Sequence, residues 1–178
     1  MNKLTRFIAA TFFSSLVATT AGTLLAQGNF EGVELSIEHV AGNVYMVQRP
    51  GGGGNIGVQI GDDGVLLVDS LFAPLSDKLV AAVREVSDSE IRFLINTHIH
   101  VDHVGGNKNL AEMGVLIFAH DNTRLRFLEE KSHYPRRGGS FAPQQAVGAR
   151  PVITFDNAIG FHLNGEEVRA FLAPPAHT

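Results

Sequence analysis

Asn96-Thr97-His98-Ile99-His100-Val101-Asp102-His103-Val104-Gly105-Gly106-Asn107 is the stretch on which the reading of this chain turns. Three His and one Asp fall within six positions, directly after the apolar run 91–95. Neutral imidazole nitrogen and carboxylate oxygen are the ligand atoms zinc accepts, at roughly 2.0–2.2 Å. His98 and His100 are two apart, so in an extended segment they project to the same side. Asp102 and His103 follow once the chain begins to turn towards Gly105 and Gly106, and they aim at a second position beside the first. One short loop can thus serve two metals about 3.5–4 Å apart. A purely structural account is poor, because burying this cluster without a metal leaves several polar groups in need of partners.

On the N-terminal side, residues 35–40 alternate and read as a strand, as do 44–48, 56–60 and the buried run 65–69. Residues 51–54 are four glycines in a loop, and Asp62-Asp63-Gly64 is a turn signal. The chain therefore opens with a meander of about four strands. Leu75, Leu79, Val80, Val83 and Val86 then share one helical face between Pro74 and Ser87, and 91–95 is the strand that runs into the His cluster. On the C-terminal side, 105–113 suggests a short helix and 115–118 a strand, and Asp121 caps a helix through Leu128. Residues 132–150 read as loop and 152–155 as strand; runs 161–163 and 168–172 flank Asn164-Gly165, a strong hairpin signal. The pattern is mixed α/β and not regularly doubly wound.

His98-Ile99-His100-Val101-Asp102-His103, with Thr97 before it and Gly105-Gly106-Asn107 after it, resembles the signature of the metallo-β-lactamase fold superfamily. Val65-Leu66-Leu67-Val68-Asp69 is similar to that family's strand ending in an Asp behind the ligands. Pro175-Ala176-His177-Thr178 is similar to the segment that brings its next ligand His. The resemblance covers roughly residues 35–178; the 98–103 motif is highly specific and the other two are supportive. It implies an αβ/βα sandwich, present here as the first half and the start of the second. It implies two zinc ions, the first held by His98, His100 and His177 and the second by Asp102 and His103. Asp102 would also move a proton, and Asp69 would orient the motif loop. The loop 51–55 would overhang the site mouth and touch substrate. The implied activity is hydrolysis, a metal-bound hydroxide attacking an ester, thioester, lactam or phosphoester, with β-lactams a natural candidate for an exported member. The alternatives are an iron-dependent oxidoreductase acting on a sulfur substrate, and a non-catalytic exported zinc-binding protein. The family pattern continues beyond Thr178 with further strands and helices and a later His for the second zinc. The expectation is therefore an N-terminal fragment, inactive alone and aggregation-prone, because the apolar inner face of its sheet lacks its partner.

Residues 1–26 read as a signal peptide, with Lys3 and Arg6 ahead of an uncharged stretch 7–26. Cleavage after Ala26, or alternatively Ala21, would release the chain to the periplasm or medium, and 27–178 would be the partial domain. The stretch is about 20 residues, just long enough to span a bilayer, but Ser14, Ser15 and several Thr favour cleavage, so no stable membrane anchor is expected. Hydrophobic residues make up 44% and charged residues 18%, which is globular composition and excludes a disordered chain. The net charge is −4 and no block of like charge occurs, so the partner is a small-molecule substrate and not nucleic acid. The absence of cysteine excludes disulfides, a thiol nucleophile and a lipoprotein anchor. The four glycines lack the Lys-Ser/Thr of a phosphate loop. Ser70 has no Gly-x-Ser-x-Gly setting. His120 reads as a cap or surface residue, His39 and His162 as sheet residues, and His133 with Arg136 and Arg137 as a solvated loop.

Overall fold

The computed structural model describes residues 30–129 and 146–174. Seven strands form one sheet whose spatial order follows chain order: β1 (Ser36–Ala41), β2 (Val44–Gln48), β3 (Ile56–Gln59), β4 (Val65–Val68), β5 (Ile91–Asn96), β6 (Leu116–His120) and β7 (Ile153–Phe155). The first four run antiparallel, as short turns permit. β4 to β7 are parallel, and parallel neighbours need crossovers. A 3-10 turn (Ala73–Leu75) and α1 (Ser76–Arg84) provide the first. α2 (Val101–Val104) and α3 (Asn107–Glu112) provide the second; α4 (Asp121–Phe127) and a 3-10 turn (Val147–Ala149) lie within the third.

Period-two alternation sorts the central strands between two faces. Leu67, Leu94 and Ile117 point to the helical side, where they meet Leu75, Leu79, Ala82 and Val83 of the first crossover and Leu110 of α3. Leu66, Ile95 and Phe118 point the other way and meet Phe161. Phe161 belongs to a separate hairpin, β8 (Ala158–Leu163) and β9 (Glu166–Phe171). Its two-residue turn puts Asn164 at φ 57° and Gly165 at φ 77°, the left-handed pair that Asn-Gly supplies. The sheet's second face is therefore covered at its centre, which corrects the expectation of a bare inner face; Phe171 and Leu172 remain exposed.

Asn164 also locks the hairpin to the β3–β4 turn. Its backbone N–H donates to Asp63 Oδ2 at 2.7 Å, and its side chain accepts from Asp63 N at 2.9 Å and donates to Gly64 O at 2.9 Å.

Two expectations shift locally. The helix after the His cluster is not one segment over 105–113: it breaks at Gly105-Gly106 into α2 and α3, and helical backbone begins inside the motif at Val101. The cap of α4 is His120 and not Asp121, since the imidazole accepts from Asn122 N at 3.0 Å and Asp121 is the first helical residue. His120 thus serves as the cap its position suggested, with its Nε2 bound to Asp156 O at 2.6 Å. Among the described residues no helix is long and apolar enough to cross a membrane. Residues 1–26, the loop around His133 and the segment holding His177 lie outside the described residues.

Candidate metal centre

The carboxyl ends of parallel strands are where α/β sheets gather their ligands. Here β4 ends at Val68, directly before Asp69, and β5 at Asn96, so the loops that follow stand side by side. Within the motif, Ile99 and Val104 turn inward and pack on Phe127 of α4. That anchorage sets the neighbours the other way: His98 Nε2 and His100 Nδ1 stand 3.1 Å apart. The first turn of α2 carries Asp102 and His103, with His103 Nε2 at 3.6 Å from Asp102 Oδ2. The rings of His98 and His103 lie 3.9 Å apart between centroids, which brings the two pairs together. All four motif residues that the sequence nominated thus converge.

Asp69 is the buried centre of this arrangement. It sits at φ 68°, a left-handed conformation that Asp tolerates better than most residues. Its Oδ1 accepts from Thr97 N at 2.7 Å, and its Oδ2 accepts from Thr97 Oγ1 at 2.6 Å and from His103 Nδ1 at 2.6 Å. A carboxylate can only accept, so the Thr97 hydroxyl proton points at Asp69. Thr97 Oγ1 must then accept from His98 Nδ1, 3.0 Å away. Both imidazoles therefore carry a proton on Nδ1, and in the neutral form both present an Nε2 lone pair to the cluster. Burial lowers the His103 pKa, but the Asp69 hydrogen bond and the charges of Asp69 and Asp102 outweigh it, and the net shift is upward.

The donor set fits a zinc-type ion. Two ligand atoms at about 2.0–2.1 Å from a tetrahedral zinc stand about 3.3 Å apart. The 3.1 Å between His98 Nε2 and His100 Nδ1 is close to that edge, and the 3.6 Å pair of His103 and Asp102 offers another. Asp69, His98 and His103 also group within 4.8 Å as candidate ligands. Asp69 is better read as the holder of the ligands than as one, since it is buried and its oxygens already accept three hydrogen bonds.

Two supports escaped the sequence reading. Asn107 is fully buried and pairs reciprocally with Asn96, Nδ2 to Oδ1 at 2.7 Å one way and 3.1 Å the other. It also accepts from Ser70 Oγ at 2.8 Å and donates to Ala149 O at 3.0 Å. This assigns Ser70 a structural part, in line with its rejection as a nucleophile. The second support is Gly105-Gly106, whose role is close approach: a Cβ at Gly106 would lie 2.3 Å from Ser70 O, and one at Gly105 2.8 Å from Leu71 O. The signal was in the Gly-Gly pair, but its partner strand end was not legible. The glycine loop was expected over the site mouth, and a Cβ on Gly54 would stand 2.7 Å from His103 Cε1. The loop after β2 therefore does lie against the cluster. His39 and His162 stand exposed on their strands, as read.

Residues 41–178 match the family model described as the metallo-beta-lactamase superfamily. Among solved structures, the chain is similar to BJP-1, a subclass B3 metallo-beta-lactamase of Bradyrhizobium japonicum (TM-score 0.61, 18% identity, 79% of this chain and 53% of that one). It is also similar to MIM-2 metallo-beta-lactamase (TM-score 0.63, 20% identity, 78% and 52%). A third is a mutant of FEZ-1, the metallo-beta-lactamase from Legionella gormanii (TM-score 0.61, 16% identity, 75% and 51%). At these identities the likeness is one of fold, and the chain spans about half the length of the structures it matches.

Proposed function

The chain belongs to the metallo-beta-lactamase superfamily, and from that membership we propose a zinc-dependent hydrolase that opens an ester, thioester, lactam or phosphoester. The observation that carries the proposal is the convergence of His98, His100, Asp102 and His103, with Nδ1 of His98 and His103 held by the Asp69–Thr97 hydrogen bonds so that Nε2 of each faces the cluster. In this reading His98 and His100, joined by His177, hold the first metal, and Asp102 and His103 hold the second. Zinc bound there would polarise the scissile group and bring the pKa of a water down to about 7.

The chain's own residues do the rest. Asp69 keeps the two imidazoles in one tautomer and orientation, so no reorganisation is needed when the metal arrives. Asp102 is partly exposed and offers a carboxylate oxygen for proton transfer next to the site. Lactams lead the substrate classes because the similar solved structures are described as metallo-beta-lactamases. Export is supported by the Lys3, Arg6 and apolar 7–26 pattern, and N-terminal sequencing of protein recovered from cells tests it.

The test is metal analysis and a substrate panel on the whole protein. His100→Ala is expected to remove at least one metal equivalent and most turnover. Unchanged metal content would show the ligand assignment wrong. Iron with oxygen consumption would replace hydrolysis by oxidation. Turnover no greater than that of a His98→Ala, His100→Ala double variant would leave a zinc-binding protein without catalysis.

A further inference from the structure

The glycine run Gly51–Gly54 between β2 and β3 has no side chains with which to hold itself. Gly51, Gly52 and Gly53 lie at φ +87°, +97° and +108°, and a Cβ on Gly51 or Gly52 would meet nothing within 4 Å. Yet Gly54 rests against His103, so the loop's position decides how open the cluster is. Something outside the glycine run must set that position.

Arg49 does so. Its Nη1 donates to Gly52 O at 2.8 Å. Its guanidinium carbon lies 5.1 Å from the ring centroid of Phe30 and 5.4 Å from that of Phe72, and these rings are 5.0 Å apart. A cation over two ring faces is held by both quadrupoles. Nε is buried against this seat with no hydrogen-bond partner among the described residues. The rings are themselves anchored. Lys78 Nζ on α1 donates to Glu31 O at 3.2 Å and to Phe30 O at 3.4 Å. Phe72 follows Leu71, whose carbonyl accepts from Gly106 N at 3.0 Å.

We propose that Arg49 is a positioning residue that latches the glycine loop over His103 and so sets the width of the site mouth, with Phe30 and Phe72 as its seat. The kinetic consequence rests on the hydrolase reading; the latch itself does not.

The experiment is ¹⁵N relaxation of the Gly51, Gly52, Gly53 and Gly54 amides in the whole zinc-loaded protein, with kinetics alongside. In Arg49→Ala the order parameters are expected to fall from the rigid range, about 0.85, to below about 0.6. Phe30→Ala is expected to do the same. Arg49→Lys is expected to restore part of the order, since an ammonium keeps the charge over the rings but lacks the planar fork. KM for a turned-over substrate rises about three- to tenfold with kcat within about twofold, because a looser loop loses uniform binding. Metal content stays the same. Unchanged glycine order parameters in both Arg49→Ala and Phe30→Ala would overturn the latch. A loss of metal together with kcat would overturn it too, by making Arg49 part of the site's folding. If the wild-type protein turns over nothing, the hydrolase reading fails and relaxation still decides the latch.

Discussion

Asp69 Oδ2 lies 2.6 Å from His103 Nδ1 and also accepts the hydroxyl of Thr97, which in turn fixes His98. One buried carboxylate thus sets two of the imidazoles that face the candidate centre, one directly and one through a threonine.

Asp69→Asn tests that relationship with little backbone disturbance, because Asn also tolerates the left-handed conformation at this position. The amide offers a single oxygen where the carboxylate accepts three hydrogen bonds. Partners behind metal ligands typically carry 10–100-fold in affinity. Zinc affinity, measured by competition with a chromophoric chelator, is expected to fall by about that factor while the circular dichroism spectrum is retained. An unchanged affinity would count against Asp69 as the orienting group.

Gly54→Ala and Gly52→Ala separate steric from backbone effects in the same loop. Gly54 lies outside the left-handed region, but its Cβ would stand 2.7 Å from His103 Cε1. It is expected to displace the imidazole and lower zinc occupancy with little change in Tm. Gly52 has open space but sits at φ +97°, so its substitution strains the loop, costing on the order of 1–3 kcal/mol locally, and leaves zinc occupancy intact. Equal occupancy in the two variants would show that the loop does not bear on His103.

Asn107→Ala removes the hub that joins β5, the loop after β4 and the turn before β7. It strands the Asn96 amide and the Ala149 carbonyl, while the Ser70 hydroxyl keeps His103 O at 3.1 Å as acceptor. Each buried group left without a partner costs roughly 1–3 kcal/mol, part of which relaxation recovers. We expect a loss of about 3 kcal/mol, seen as a fall in Tm of about 6–12 °C. A shift under about 2 °C would mean that water replaces the lost partners without penalty.

The strands and α1 were legible because each carries its own periodicity. Leu66 and Leu67 are adjacent and end on opposite faces of the sheet, as a period of two requires. The Asn164-Gly165 turn was legible because only a few residues accept its backbone. Less legible was the α4 cap, where His120 took the part expected of Asp121: an imidazole can accept the helix N–H, and β6 ran to His120 itself.

The ligand-type residues of the candidate centre, His98, His100, Asp102 and His103, were written in six consecutive positions, and local spacing with the inward pull of Ile99 and Val104 is enough to bring them together. By itself the sequence determined these donors, the strands and the alternation that sorts their side chains. Only the tertiary structure decided what stands behind and above the donors. Asp69 reaches Thr97 and His103 across 28 and 34 positions, Gly54 comes to rest on His103, and Arg49 finds Phe30 and Phe72. The physical reason is that periodicity states which face of an element is apolar, whereas contacts between elements depend on strand order and register. Those are settled only when the whole sheet assembles.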